Sequence, residues 1–362
     1  MRQLASKKWQ ARVSNPEGKQ VALGTFRLKK EAEDAIREYE SRFKGANHAE
    51  NLSRYRALEK AKVTTFGDLA KRYIENRQLS PRTKELYASY QAKYLLEFLE
   101  QPIRTVTQEQ IEDWWREFGD ETASQRQKVY GYLHSVMKYA VELDYIDRNP
   151  CRIPRGFARL EPKFPKLLPT EEQVRQIIAL TEWGGERLAY IIAFNAGLRK
   201  GEMLELRRKD LEFDKERNRY LVKVERSVSW LRNGEVKVGV PKANSKRVVP
   251  LSKNLNEDIK ALLSSLGTID PEALIYPADR ALNTHLRNHA NNRRFDKYRK
   301  AVGYGGKFHD ARAFVNSNLL KSGATLKEAL DRLGHKTLQA NAFYQRGLGR
   351  EDELADNLPS LK

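Results

Sequence analysis

Six side chains between positions 199 and 344 are of the types that a metal-free attack on a phosphodiester needs. Arg199 sits in "GLRKGE", Lys242 in "PKANSKR", His309 and Arg312 in "HDAR", His335 in "LGH", and Tyr344 closes "LQANAFY". Two guanidiniums neutralise phosphoryl oxygens with fork geometry. An imidazole can take the proton of a nucleophile, and a lysine can protonate the oxygen that leaves. A tyrosine hydroxyl forms a covalent phosphoester that stores the energy of the broken bond. Charge stabilisation is then complete without a divalent ion, so the set implies no cofactor and no metal.

Taken singly, each residue has an ordinary structural explanation. An arginine near a helix end caps carbonyls or pairs with an acid such as Glu202. A lysine in a hairpin is usually solvated, and a Gly-His pair often caps a helix. His309 and Arg312, three residues apart, share a helix face as many pairs do. A tyrosine at helical spacing usually packs its ring and wets its hydroxyl. Only the ordered set is specific.

The composition points to the same class of partner. Lys and Arg number 67 against 48 Asp and Glu in 362 residues, a formal net charge of +19, which favours a polyanion over a small neutral substrate. Nucleic acid leads, with an anionic membrane surface as the rival. The longest apolar runs, such as "LAYIIAFNAG", are shorter than the roughly 18 residues a membrane span needs. The opening "MRQLASKKWQ" has charges but no apolar core, so no secretory signal is expected. Cys151 is the single cysteine, which excludes an intrachain disulfide or a Cys-rich zinc site and fits a reducing cytoplasm.

An α+β multidomain chain is predicted to position these residues. Residues 1–62 read as a small three-stranded sheet backed by a helix, followed by a coupling segment: "QARV" alternates, "NPEG" turns, "KQVALGTF" pairs back, and "LKKEAEDAIREYESRFKG" has helical spacing. Residues 63–155 read as an all-helical domain, with Thr64 or Thr65, and then Ser80 before Pro81, as helix starts. Lys84, Lys93, Arg126 and Lys128 are its candidate phosphate contacts. In "EDWWREF", one of Trp114 and Trp115 is expected to pack and the other to be partly exposed. Residues 156–168 are punctuated by proline, as a linker would be. Residues 169–362 read as mainly helical, opened by Thr170, with a small antiparallel sheet from "NRYLVKVERSVSW", "EVKVGVPK" and "SKRVVPL".

The boxes around Arg199, Lys242, His309, Arg312, His335 and Tyr344, in this order and with these separations, resemble those of the tyrosine recombinase, or phage integrase, family. "WQARV" and "GTFRLKKEAEDA" resemble the arm-binding domain of its larger integrases, so the resemblance runs over nearly the whole chain. It implies a helical core-binding domain joined to a catalytic domain, and a site-specific recombinase that cleaves and rejoins DNA through a 3′-phosphotyrosine. Carried over by role, Arg199 and Arg312 hold the scissile phosphate and Lys242 protonates the 5′ oxygen, with Lys246 close enough to compete for that part. His309 assists proton transfer from Tyr344, His335 bonds the phosphate, and Glu202 and Asp210 steady Arg199 and the turn after it. The implied partners are double-stranded DNA at core-type and arm-type sites, a homotetramer on that DNA, a host DNA-bending protein and a directionality factor, in a bacterial cytoplasm and away from any membrane. "HDARAF" departs from the family pattern, with alanine where leucine is common before the arginine and no polar residue straight after it. A type IB topoisomerase, or a DNA-binding architectural protein with an inert look-alike site, is the alternative.

Overall fold

The computed structural model describes residues 1–41, 48–118, 123–158, 168–278 and 282–334. The chain divides into two compact units, Met1–Pro162 and Lys163–Lys362. The first opens on an antiparallel sheet of β1 (Arg2–Gln3), β2 (Trp9–Ser14) and β3 (Gln20–Phe26), with α1 (Lys29–Ser41) packed on it. Asn15 makes the β2–β3 turn, its side-chain oxygen accepting from the amides of Glu17 and Lys19 at 3.0 and 2.8 Å. The following segment is a helix, α2 (His48–Val63). Its Tyr55 accepts a hydrogen bond from Asn15 at 2.9 Å, and its Arg54 reaches Asp147 at 3.2 Å. It therefore ties the sheet to the helices that follow.

Those helices are α3 (Phe66–Glu75), α4 (Pro81–Tyr94), α5 (Leu96–Leu99), α6 (Gln108–Glu117) and α7 (Ala123–Glu142). Of the two threonines offered as the first cap, Thr65 is the one used, in a reciprocal box with Asp68, and Ser80 caps α4 just ahead of Pro81. The run from Pro81 to Leu99 is not one helix. It breaks at Leu95, whose backbone leaves the helical region (φ −126°, ψ 21°), and Leu95 and Phe98 both enter the core. Trp114 is buried and donates to the Tyr94 carbonyl at 2.7 Å, while Trp115 is half-buried beneath the Arg126 guanidinium. Arg126 is thereby engaged in packing, whereas Lys84, Lys93 and Lys128 are exposed.

In the second unit α8 (Glu171–Ala179) starts at the Thr170 capping box, and α9 (Gly184–Ala196) runs through the core with almost every residue buried. A short helix, α10 (Lys200–Leu204), leads into β4 (Leu211–Asp214), β5 (Arg219–Val224), β6 (Ser227–Trp230), β7 (Val236–Gly239) and β8 (Arg247–Pro250). These form two antiparallel sheets, β4-β5-β8 and β6-β7. "NRYLVKVERSVSW" is therefore two strands in two sheets. The chain turns between them at Arg226, which pairs with Asp210 at 2.6 Å and Glu205 at 3.2 Å. Helices α11 (Asn256–Ser265), α12 (Asn288–Ala301), α13 (Asp310–Lys321) and α14 (Leu326–Leu333) complete the described part. None of the helices among the described residues is long and apolar enough to cross a membrane.

Cys151 is 6 % exposed, and burial pushes its thiol well above the ordinary value. A thiol reagent at pH 8 is expected to label the native chain at least about a hundredfold more slowly than the guanidinium-unfolded chain, because the thiolate is the reactive form. Rapid native labelling would show that this core opens readily.

Candidate active site

Two helices end where the site begins. Helix α9 stops at Gly197 and α14 at Gly334, both left-handed, at φ 67° and 64°. Neither position has room for a side chain: a Cβ at Gly197 would lie 2.3 Å from Leu333, and one at Gly334 would lie 2.9 Å from Ser245. The two terminations therefore come into close contact, and each exposes carbonyls that need donors.

Arginines supply those donors. Arg312, 1 % exposed on α13, gives Nη1 to the Gly197 carbonyl at 2.5 Å and Nη2 to the Leu333 carbonyl at 2.6 Å. Arg199 gives Nη2 to the Gly334 carbonyl at 2.9 Å and Nη1 to Ser245 Oγ at 2.8 Å. Arg247 on β8 donates from Nε to the Arg332 carbonyl at 2.9 Å.

One buried carboxylate ties these guanidiniums together. Glu202 Oε1 accepts from Arg199 Nη1 at 2.7 Å, and Glu202 Oε2 from Arg247 Nη2 at 2.8 Å and from the Arg199 amide at 2.9 Å. Arg312 Nη1 lies 3.9 Å from Oε2. Burial alone would raise the carboxyl's pKa. The hydrogen bonds and charges of Arg247 and Arg199 outweigh it and hold Glu202 below the usual carboxylate range. Three cations around one anion leave a surplus of positive charge in a low-dielectric site, which an anionic group of a substrate can offset.

The sequence-predicted residues fall into three groups. Arg199 and Arg312 are brought together around Glu202. Lys242 is exposed at the start of a tight turn after β7, in which Ala243 and Asn244 adopt φ 61° and 51°. Ser245 in that turn bonds Arg199, so the loop carrying Lys242 is tethered to the site. Lys246 is exposed in the same loop. His309 stands exposed at the N-cap position of α13, without a side-chain capping bond, whereas Arg312, three residues on, is buried and points into the helix packing. Ala311, at the position that departs from the family pattern, is buried in the core. His335 and Tyr344 lie outside the described residues.

Of the two acids expected to give support, Glu202 fixes Arg199, and Asp210 fixes the next turn by accepting from the Arg207 amide at 2.9 Å and from Arg226. Sequence reasoning missed Arg247. Its signal was available, since Arg247 and the buried Val249 are two apart on a strand and so face the same way, and an inward arginine needs a carboxylate.

Residues 169–348 match the phage integrase family. The integrase of Mycobacterium phage FRAT1 is 31% identical over 307 residues, covering 83% of this chain and 90% of that protein. The Tn1549 transposon integrase, solved in complex with circular intermediate DNA, superposes with a TM-score of 0.65 at 16% identity over 82% of this chain and all of that one. A lambda integrase tetramer bound to a Holliday junction matches with a TM-score of 0.57 at 20% identity, covering 97% of this chain and 95% of that one.

Glu202→Gln removes the anion and leaves the guanidiniums facing one another, a loss on the order of 3–5 kcal/mol for breaking a buried pair. Because the folded carboxyl is depressed, its stabilisation is complete above the ordinary carboxylate range and is lost as pH falls through the folded value. Thermal melts from pH 7 down to about pH 3 should show a lower midpoint for the variant at neutral pH and a shallower decline on acidification. Parallel curves for the two proteins would assign the acid sensitivity to other groups.

Proposed function

The chain belongs to the phage integrase family of tyrosine recombinases and is a site-specific DNA recombinase, and from that premise we propose how its own residues cut and rejoin a strand. Arg199 bonds the scissile phosphate. Its guanidinium keeps the Nε–H and one Nη2–H outside the bonds described above, and its side chain is 22% exposed. Arg312, behind it, adds a buried positive charge whose field is weakly screened. His335 adds a hydrogen bond to the phosphate.

Tyr344 is the nucleophile. Its oxygen attacks phosphorus as its proton passes to His309, and the bond from phosphorus to the 5′ oxygen breaks as Lys242 protonates that oxygen. One phosphoester replaces another, so neither ATP nor a metal is needed to store the bond energy. The 5′ hydroxyl of a second strand reverses the steps and rejoins the backbone. Residues 1–62 then bind arm-type sites, while residues 63–155 and 169–362 clamp the core-type site, joined by the linker at 156–168. Four copies assemble on two core sites to integrate or excise a phage or other mobile element, with a host DNA-bending protein and a directionality factor as further partners. The protein works on DNA in a bacterial cytoplasm.

The observation that carries this reading is the preformed cluster of Arg199, Arg247 and Arg312 on Glu202, with Arg199 turned partly outward. The relatives are integrases and recombinases, which favours neither a topoisomerase nor an inert architectural protein.

A nicked duplex that traps the cleaved intermediate tests the chemistry. Wild type in EDTA is expected to give an SDS-resistant protein–DNA adduct, and Tyr344→Phe none while still binding. An adduct from the phenylalanine variant would move the nucleophile elsewhere. Lys242→Ala should slow cleavage by roughly 10²–10⁴-fold, the usual worth of a general acid. A sulfur in place of the 5′-bridging oxygen should restore its rate, because a thiolate leaves without a proton. If Lys246→Ala shows both behaviours instead, Lys246 is the acid.

A further inference from the structure

Arg199 and Lys200 are consecutive, yet their charged groups go to different places. Arg199 turns to Glu202, Ser245 and Gly334, whereas the Lys200 ammonium crosses to Asn292 on α12 and bonds its side-chain oxygen at 2.9 Å. There it lines a cavity of about 300 Å³ with Asn292, Asp296, Arg299, Lys307 and His309. Lys200 is half-buried, and burial lowers its pKa. The only acid in this lining is Asp296, and it is held by Arg299 at 2.5 Å. Neither Lys200 nor Lys307 has a carboxylate within ion-pair distance among the described residues. The Lys307 main chain is nonetheless fixed, its amide donating to the buried Asp310 at 2.7 Å.

A half-buried ammonium beside two more cations and one neutralised acid costs desolvation that, among the described residues, the hydrogen bond to the neutral Asn292 repays only in part. An anion in the cavity would supply the missing countercharge. The anion's chemistry is limited by the floor. Phe295 and Phe308 are 2% and 4% exposed, so neither ring offers a face on which a base could stack. The cavity also shares His309 with the candidate active site, and Lys200 follows Arg199 directly.

We propose that this cavity is a second phosphate site, in which Lys200 and Lys307 hold the DNA backbone phosphate next to the scissile one. It rests on the recombinase reading above. Its role is registration: two neighbouring phosphates held at once fix the strand along its length, so that the bond presented to the nucleophile is the correct one.

A cycle of protein and DNA changes tests it. Duplex core-site substrates are made with an uncharged methylphosphonate at the phosphate on either side of the scissile one, and binding is measured with wild type, Lys200→Met and Lys307→Met. At one position the neutral linkage should weaken wild-type binding roughly tenfold, as expected for a lost charge-assisted bond. Lys200→Met should lose the same factor on natural DNA and nothing more on the modified duplex, and its salt slope should fall by about one. Lys307→Met should show the same pattern in weaker form, and Lys200→Arg should bind like wild type. If the losses from substitution and methylphosphonate multiply at both positions, or if Lys200→Met binds natural DNA as wild type does, the proposal is wrong. Adduct formation by wild type is scored in the same tubes. Bound DNA without adduct would overturn the reading of the reaction, while the binding cycle would still decide the cavity.

Discussion

A buried carboxylate shared by guanidiniums is the constraint from which the rest of the candidate site follows. Glu202 has no exposed side-chain surface, and isolated charges of that kind are not tolerated in a protein interior. Arg199 and Arg247 compensate it through hydrogen bonds, and Arg312 through proximity. The arrangement also explains why the surroundings are polar backbone. Each arginine also donates to a carbonyl at the end of α9 or α14, so the ion cluster and the helix terminations support one another. Removing an arginine takes a donor from a helix-end carbonyl and a countercharge from Glu202, and removing Glu202 leaves the guanidiniums without their shared anion.

This dependence orders the fold around the site. Gly197 lets α9 stop against Leu333, and Gly334 lets α14 stop against Ser245. Ser245 belongs to the loop that begins with Lys242, and Arg247 to the strand that follows. One cluster therefore gathers the end of α9, the start of α10, the β7–β8 loop, α13 and the end of α14. The candidate residues lie far apart in sequence, and these contacts bring Arg199 and Arg312 together and tether the loop that carries Lys242 beside them.

How much of this was legible beforehand depended on the range of the interaction. Thr65, Ser80 and Thr170 were readable because a cap and the amide it accepts from lie three residues apart. The hairpin at Asn15 was readable for the same reason. The separation of β5 from β6 was not, because it turns on Arg226 reaching Asp210 across sixteen positions. Arg247 was hidden behind its neighbours Lys242 and Lys246, and its partner Glu202 is 45 residues away. Leu95 broke a helix that spacing alone would continue, because two large side chains had to enter one core. Of the six candidate residues, Arg199 and Arg312 meet around Glu202, Lys242 is tethered through Ser245, and His309 stands at the mouth of α13.

Preorganisation is the central physical claim: the guanidiniums of Arg199 and Arg312 are locked before DNA arrives, so that none of the cost of ordering them falls on the reaction. Arginine-selective ¹⁵N NMR of the DNA-free protein measures this directly, through rotation about the guanidinium C–N bonds. Separate, slowly exchanging Nη signals for Arg199 and Arg312 without DNA are the predicted result. Averaged signals that separate only when duplex is added would contradict the account, and would mean that the substrate builds the site.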